Sequence, residues 1–520
     1  MALLKSIVTV GSFTMVSRVL GFAREILIAN VIGPGMIADA FIFAFKFPNF
    51  FRRMFAEGAF NAAFVPLYAG RQEREGGAAA RRFAGEVASV MTSWMLLFTL
   101  LAMAAMPWIM VVLAWGWTDE PEKFDLTVNL TRITFPYLLF MVLTAMLSGM
   151  LNALGRFAAA AAAPILLNVV LISALLLVKF DWLDLPGHAL AWSVALAGMG
   201  QFLWLVLVCR RMDILPALPR PRLTPGVRRL FTLMLPGVIG AGVVHINLLV
   251  DQFLATLLPE GSLSYLYLAD RVNQFPLGVV GVSVGVALLP MMSRQLRAGD
   301  LDAASHNQNR AIEFALFLTV PAAVAFVAIG GPIVAVMYRH GQTDAAEAHA
   351  IAQALAAFAV GLPAAVLIKA FQPGFYARQD TVTPFKVTLA AVLLNIVLAI
   401  GLMQLILHTG IALATSLSYW FTAGALGTIL YRRGQLRFDD RLRRRVPMIV
   451  FCACVMGLAV WWLALALADP LGGPLWQKIG ALAAIVFAGA AVYGILVLAT
   501  GTMRLADLSA LRRASKPPAA

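Results

Sequence analysis

Apolar residues run through this chain in long stretches, and most stretches are long enough to be helices that cross a bilayer. A crossing helix needs about 20 apolar residues to bridge roughly 30 Å of hydrocarbon. Reading the runs against the intervening Pro, Gly and charged clusters predicts fourteen helices. They lie at 7–30, 36–68, 87–113, 130–152, 158–179, 187–209, 230–257, 265–291, 311–330, 350–370, 384–406, 410–431, 446–468 and 477–501. The connections alternate in charge. Those near 69–86, 209–229 and 431–446 are rich in arginine, among them Arg71, Arg81, Arg210, Arg222, Arg432 and Arg445. The tail adds Arg504, Arg512, Arg513 and Lys516, whereas 114–130 is acidic, with Asp119, Glu120, Glu122 and Asp125. Lys and Arg collect in cytoplasmic loops, so both termini are expected in the cytoplasm.

The pattern repeats. At an offset of 228, Gly33 falls on Gly261 and Phe47-Pro48 on Phe275-Pro276; at 227, Leu166-Leu167-Asn168 falls on Leu393-Leu394-Asn395. At 223, Ala189-Leu190-Ala191 falls on Ala412-Leu413-Ala414. Helices 1–6 therefore resemble helices 7–12. Six spans is an even number, so the halves share one orientation, as in parallel-repeat transporters. Helices 13 and 14 are an addition.

The polar positions within the apolar runs are few and concentrated. Between Phe13 and Pro66 stand Arg18, Arg24, Glu25, Asp39, Lys46, Arg52, Arg53 and Glu57. A charge near the bilayer centre costs about 2.5–3.5 kcal/mol on insertion scales, so these groups must face protein, water or a ligand. Asp39, Lys46 and Arg53 are spaced by seven, and with Glu57 they fall within roughly 40° on a straight helix. Pro48 is expected to kink that helix and re-aim Arg52. Three acids meet five bases, an excess of two positive charges after pairing. That excess points to a wet, cationic cavity and a polar, anionic cargo. Arginine suits it, because a planar, permanently charged fork grips phosphate or carboxylate with two hydrogen bonds. Two alternatives stand beside this reading. The charges could neutralise one another, or a shorter helix 2 would leave Arg52, Arg53 and Glu57 at an interface.

Helix 8 carries Asp270 and Arg271, read either as a pair at a helix end or with Arg271 projecting toward the helix 1–2 cluster. Helix 7 carries His245, Asn247 and Asp251. An intramembrane aspartate such as Asp251 is a candidate proton or sodium site, or else a hydrogen-bonded packing group.

The net charge of +14 would suggest nucleic acid in a soluble protein. Here 61% of residues are hydrophobic and the mean hydropathy is +0.84, well above the roughly 45–50% apolar content of soluble domains. The chain is an integral membrane protein, its basic loops account for the charge, and no nucleic acid partner is expected. Cys209, Cys452 and Cys454 form no disulfide framework, and the lone C-x-C offers no certain metal site. The N-terminal apolar run reads as the start of the first span rather than a cleaved signal. No nucleotide loop, zinc motif or nucleophile elbow occurs, so the expected activity is transport, with no cofactor.

Three stretches carry a family resemblance: SRVLGFAREILIANVIGPGMIADAFIFAFKFPNFFRRMFAEGAFNAAFVP (17–66), ADRVNQFPLGV (269–279) and FYARQDTVTP (375–384). With them the chain resembles the MurJ (MviN) family of lipid II flippases, in the MOP exporter superfamily, over nearly its whole length. The resemblance implies an all-α polytopic bundle, V-shaped around a central cationic cavity. Its N-lobe would be 1–222 and its C-lobe 223–434, with helices 13–14 in 435–520 forming a groove for the polyprenyl tail. It matches cavity residues to Arg18, Arg24, Asp39, Arg52 and Arg271, supported by Ser264, Asp270 and Glu57. The implied cargo is undecaprenyl-diphosphate disaccharide-pentapeptide, moved from the inner to the outer leaflet of the bacterial cytoplasmic membrane for cell-wall synthesis. Dependence on membrane potential is implied too. Sodium or proton coupling stays open, with Asp251 and Asp380 as the matched positions. Membrane lipids and cell-wall synthesis or division proteins are the implied partners. The alternative is a MOP transporter of another cargo, a drug/sodium antiporter or an O-antigen-type flippase.

Overall fold

The computed structural model describes residues 2–502, with side chains outside 2–8, 56–59, 239–241, 243, 244, 282, 283, 286 and 287. The basic tail residues and the side chain of Glu57 lie outside the described residues. Among these residues the regular structure is helical, with no strand. The first compact unit runs to Ser264 and includes Gly341–Thr343; the second holds Tyr265–His340 and the chain from Asp344.

The first unit contains α1 (Ala2–Val31), α2 (Met36–Arg52), a π-helical segment (Arg53–Phe60), α3 (Asn61–Arg74) and α4 (Gly77–Leu113). It continues with α5 (Pro121–Thr134), α6 (Tyr137–Ala153), α7 (Phe157–Lys179), α8 (Pro186–Arg211) and α9 (Pro225–Thr256). Helix α10 (Ser262–Pro276) begins in it. Its core joins Phe41 and Phe45 of α2 to Leu130, Tyr137, Leu171 and Leu190. The repeat assigns α9 to the second half, yet α9 packs within the first unit. The Thr224 hydroxyl before it donates to Glu86 Oε2 at 2.7 Å, and Gln252 Nε2 donates to the Phe43 carbonyl at 3.3 Å. At Gly116 the backbone approaches so closely that a Cβ would stand 2.1 Å from the Thr256 carbonyl oxygen.

The second unit contains a second π-helical segment (Leu277–Gly281), α11 (Val282–Arg297), α12 (Leu301–Met337), α13 (Ala345–Tyr376) and α14 (Val382–Arg432). It ends with α15 (Asp440–Ala466), the short α16 (Ala468–Gly472) and α17 (Leu475–Ala499). Helix α14 covers two of the expected spans. Its backbone leaves helical geometry at Ile406 and Leu407, and Gly410 lets the two arms meet, since a Cβ there would lie 2.5 Å from the Leu402 carbonyl. The C-terminal helices pack on α12 through Ile329, Met456, Val460, Ile485 and Val497. Among the described residues nine helical stretches are long and apolar enough to cross a membrane, with α5 and α6 counted together as Pro121–Ala153.

Prolines inside these helices show how the interior meets its hydrogen-bond requirements. Each proline lacks an N–H and leaves the carbonyl four residues earlier without its helical donor, which is costly where water is absent. At three of them a neighbouring helix supplies the donor. Thr134 Oγ1 donates to the Ala44 carbonyl freed by Pro48, at 2.7 Å. Arg132 Nε donates to the Met103 carbonyl freed by Pro107, at 3.0 Å. Tyr493 Oη donates to the Phe317 carbonyl freed by Pro321, at 2.8 Å. The last bond fastens α17 to α12. Tyr493→Phe keeps the ring and removes the donor, and it is expected to lower stability by about 0.6–1.7 kcal/mol, the range for such bonds in membranes. A melting temperature in detergent equal to that of the native protein would refute this.

Candidate functional site: buried charges on the first helices

Arg24 and Glu25 sit side by side on α1, only 7% and 2% exposed. Adjacent helix positions diverge by about 100°, but the long Arg24 side chain folds back, so its Nη2 pairs with Glu25 Oε1. Its Nη1 donates to Asn168 Oδ1 on α7 at 3.0 Å, and its guanidinium lies 5.6 Å from the centroid of the Phe45 ring. Asn168 in turn donates to the Ser17 carbonyl at 2.9 Å. Arg18, two turns earlier, is exposed. So α1 presents one arginine braced in protein and one available at a surface.

Asp39 is 1% exposed, near the start of α2. The sequence places it with the basic residues of its own helix, as a member of one stripe. The structure divides that stripe. Asp39 Oδ2 pairs with Lys123 Nζ at 3.2 Å and accepts from the Gly261 N–H at 2.8 Å. Asp39 Oδ1 accepts from the Ser264 N–H at 2.9 Å and the Ser264 hydroxyl at 2.6 Å. One carboxylate thus ties α2 to α5 and to the first turn of α10. A carboxylate is also the group favoured at a helix N-terminus. Ser264 has its hydroxyl committed to this bond.

Lys123 was hidden in the sequence because its loop reads as acidic overall. It is 1% exposed, lies 4.5 Å from the Trp117 ring centroid, and has Glu120 at 4.0 Å. The readable signal was a single lysine amid four carboxylates, three residues after Glu120 and six after a tryptophan.

Lys46, Arg52 and Arg53 are half-buried. Arg52 Nε donates to Asn49 Oδ1 at 2.8 Å. The straight-helix face ends at Arg53, where the π-helical segment begins. An i→i+5 turn holds more residues than an α turn, so the 100° spacing assumed beyond Arg53 does not apply there; the side chain of Glu57 lies outside the described residues. Pro48 itself leaves α2 continuous, with its freed carbonyl capped by Thr134. A second π segment follows Phe275-Pro276, the repeat partner of Phe47-Pro48.

In the second unit, Arg271 is half-buried with its guanidinium 4.6 Å from the Tyr267 ring centroid. Its neighbour Asp270 accepts from Gln274 one turn on. Asp251 on α9 accepts from Asn247 Nδ2 at 3.4 Å, as their i, i+4 spacing predicts.

Asp380 lies in the turn before α14. Its Oδ1 accepts from the Thr383 N–H at 2.9 Å, while Oδ2 accepts from the Thr383 hydroxyl and from Arg433 Nη1, both at 2.7 Å. A cation at this carboxylate would have to displace Arg433. The hydrogen bonds from Thr383, then that from Arg433, hold its carboxyl below the ordinary 3.8, at about 2. A depressed carboxylate stabilises the fold above its unfolded pKa and loses that contribution as pH falls through its folded pKa. The stability difference between the native protein and Asp380→Asn is therefore expected to be constant above about pH 5 and to shrink between pH 4 and 2. Melting temperatures across that range check it, and a difference still constant at pH 2 would refute it.

The comparisons with known proteins agree with one another. A family model described as lipid II flippase MurJ matches residues 28–471. A probable lipid II flippase MurJ from Rhizobium tropici is 46% identical over 519 residues, covering 99% of this chain and 96% of that one. The lipid II flippase MurJ of Burkholderia cenocepacia is 33% identical over 473 residues, 89% of this chain and 91% of that one. In fold, a solved lipid II flippase MurJ in an inward-closed conformation superposes with a TM-score of 0.77 at 24% identity, over 94% of this chain and 98% of that one. An inward-facing multidrug resistance MATE transporter of the MOP superfamily superposes at 0.68 and 13% identity, over 84% and 99%. Together with the nine apolar stretches fit to cross a bilayer among the described residues, these matches establish a multi-pass membrane protein, and the chain belongs to the MurJ family of lipid II flippases.

Proposed function

We propose that this chain is a lipid flippase, a transporter and not an enzyme. Its cargo would be the undecaprenyl-diphosphate-linked disaccharide-pentapeptide, carried from the cytoplasmic to the periplasmic leaflet of the bacterial inner membrane. The observation that carries this reading is the family match across 28–471. The buried Arg24 on α1 supports it, because arginine is costly at membrane depth unless it serves something charged. On this reading fourteen spans place both termini in the cytoplasm. The lobes 1–222 and 223–434 rock about a cationic cavity, and the two helices of 435–520 add a groove for the polyprenyl tail. Arg18, Arg24, Arg52, Arg53 and Arg271 attract the diphosphate, and Asp39, Glu57, Ser264 and Asp270 set their positions and limit the excess charge. An uncompensated positive charge makes the carrier sensitive to membrane potential, at about 2.3 kcal/mol per charge per 100 mV. Partners in cell-wall synthesis and division fit this role.

The deciding experiment supplies this chain to cells depleted of their own flippase and reads the leaflet location of lipid II. Lipid II that stays on the cytoplasmic side despite normal amounts of the protein would overturn the reading. Coupling to sodium or protons is a further part of the proposal, with Asp251 as the coupling group. Asp251→Asn is then expected to change the dependence of transport on sodium or pH before it changes the maximal rate. An unchanged ion dependence would remove Asp251 from that role.

A further inference from the structure

Two apolar cavities within the first unit follow one another along a single face of α4. The first, of about 610 Å³, is walled by Val90, Trp94 and Leu97 of α4 and by Phe231, Met234 and Val238 of α9. The second, of about 760 Å³, is walled by Leu101, Trp108 and Leu113 of α4 and Leu249 of α9. Its back is an aromatic cluster, with Phe98 at 5.5 Å from Phe51 and 5.9 Å from Phe135 between ring centroids. From Val90 to Leu113 the track rises about 35 Å at 1.5 Å per residue, slightly more than the roughly 30 Å hydrocarbon thickness. The walls are open to the side: Leu97 is 51% and Leu101 60% exposed. One charged side chain, Arg222, stands in the lining, at the end that the positive-inside rule assigns to the cytoplasm.

A phospholipid acyl chain reaches only the bilayer midplane, about half of that 30 Å. Two cavities end to end along one helix, together spanning about the full hydrocarbon thickness, suit a much longer chain. An arginine at one end suits a phosphate at the head of that chain. We propose that the α4–α9 groove binds the polyprenyl chain of the lipid-linked cargo, with Arg222 at its cytoplasmic mouth meeting the phosphate. This rests on the flippase reading, and it is a site separate from the groove expected at α15 and α17.

The test uses the full-length protein in vesicles of phosphatidylglycerol and phosphatidylethanolamine. A photoreactive benzoylphenylalanine replaces Leu97, Leu101 or, on α17, the exposed Phe487. The probes are labelled undecaprenyl phosphate and, separately, labelled phosphatidylglycerol at the same mole fraction. Adducts with undecaprenyl phosphate at positions 97 and 101 are expected at least fivefold above those with phosphatidylglycerol, and Arg222→Glu is expected to lower them at least fivefold. Equal labelling by both lipids would mean ordinary bilayer contact and would overturn the proposal. Polyprenyl adducts confined to position 487, or adducts at 97 and 101 indifferent to Arg222→Glu, would overturn it too. The unsubstituted chain is assayed in parallel for rescue of depleted cells. Rescue without polyprenyl adducts sinks the groove alone, whereas failure of rescue sinks the flippase reading.

Discussion

Arg24→Ala is expected to abolish rescue of flippase-depleted cells and to destabilise the protein by about 3–5 kcal/mol, the usual cost of removing one partner from a buried ion pair. The cost arises at Glu25, which is 2% exposed and would lose the guanidinium beside it. Asn168 would also lose the donor at 3.0 Å. Loss of rescue alone therefore does not separate folding from transport, and a second variant must. Arg24→Met with Glu25→Leu removes both charges while nearly keeping the volume, and replacement of a buried pair by well-packed hydrophobic residues of similar volume is often neutral or stabilising. The double variant is expected to reach the membrane in normal amounts and melt near the native temperature. If Arg24 attracts the anionic cargo, it will still fail to rescue. If it rescues, Arg24 serves only the fold, and the cargo site must be built from the other arginines. An Arg24→Ala protein with native melting and full rescue would refute both the structural and the functional assignment.

What the sequence made legible, and what it did not, divides along physical lines. Apolar run length is a one-dimensional property, so the all-helical membrane class could be read directly. The two spans expected at 384–406 and 410–431 are the two arms of α14, whose backbone leaves helical geometry at Ile406 and Leu407. The charges of α1 and α2 were legible because any charge in an apolar run stands out. Their partners were not, since Asn168 lies 144 residues from Arg24 and Lys123 lies 84 from Asp39. The repeat gave a partial hint: it singled out Asn168 and Asn395, both buried hydrogen bonders, Asn168 between α7 and α1 and Asn395 donating to Thr415 Oγ1 at 3.3 Å across the two arms of α14. The π-helical segment escaped because the face calculation assumed 100° per residue throughout. The donor for the carbonyl that Pro48 frees was not legible either, since the Thr134 hydroxyl that supplies it lies 90 residues from Ala44.

Lys123→Met is expected to cost about 3–5 kcal/mol, because it strands Asp39, 1% exposed, as a buried carboxylate without its cation. Asp39→Asn is expected to be damaging too, since it removes the nearer carboxylate, at 3.2 Å, from Lys123, itself 1% exposed. Combining the two removes both charges and should recover most of the stability, so the double variant should be less destabilised than either single one, a strong coupling in a double-mutant cycle of melting free energies. Additive single effects would mean that the 3.2 Å contact is energetically silent. The neutral pair also probes the closure that Asp39 makes with α10. A hydrogen bond to a charged group contributes about 1.5–3 kcal/mol, so replacing charge-assisted bonds at Ser264 and Gly261 with neutral ones loosens that turn. A shift of 1.4 kcal/mol is about tenfold in population. A cysteine at Leu263, now 2% exposed, with the exposed Cys454 changed to Ser, is therefore expected to react with a water-soluble maleimide at least tenfold faster in the neutral pair. Unchanged labelling in a variant that melts normally would mean that the Lys123–Asp39 charges fix the position of α2 but do not hold the start of α10 closed.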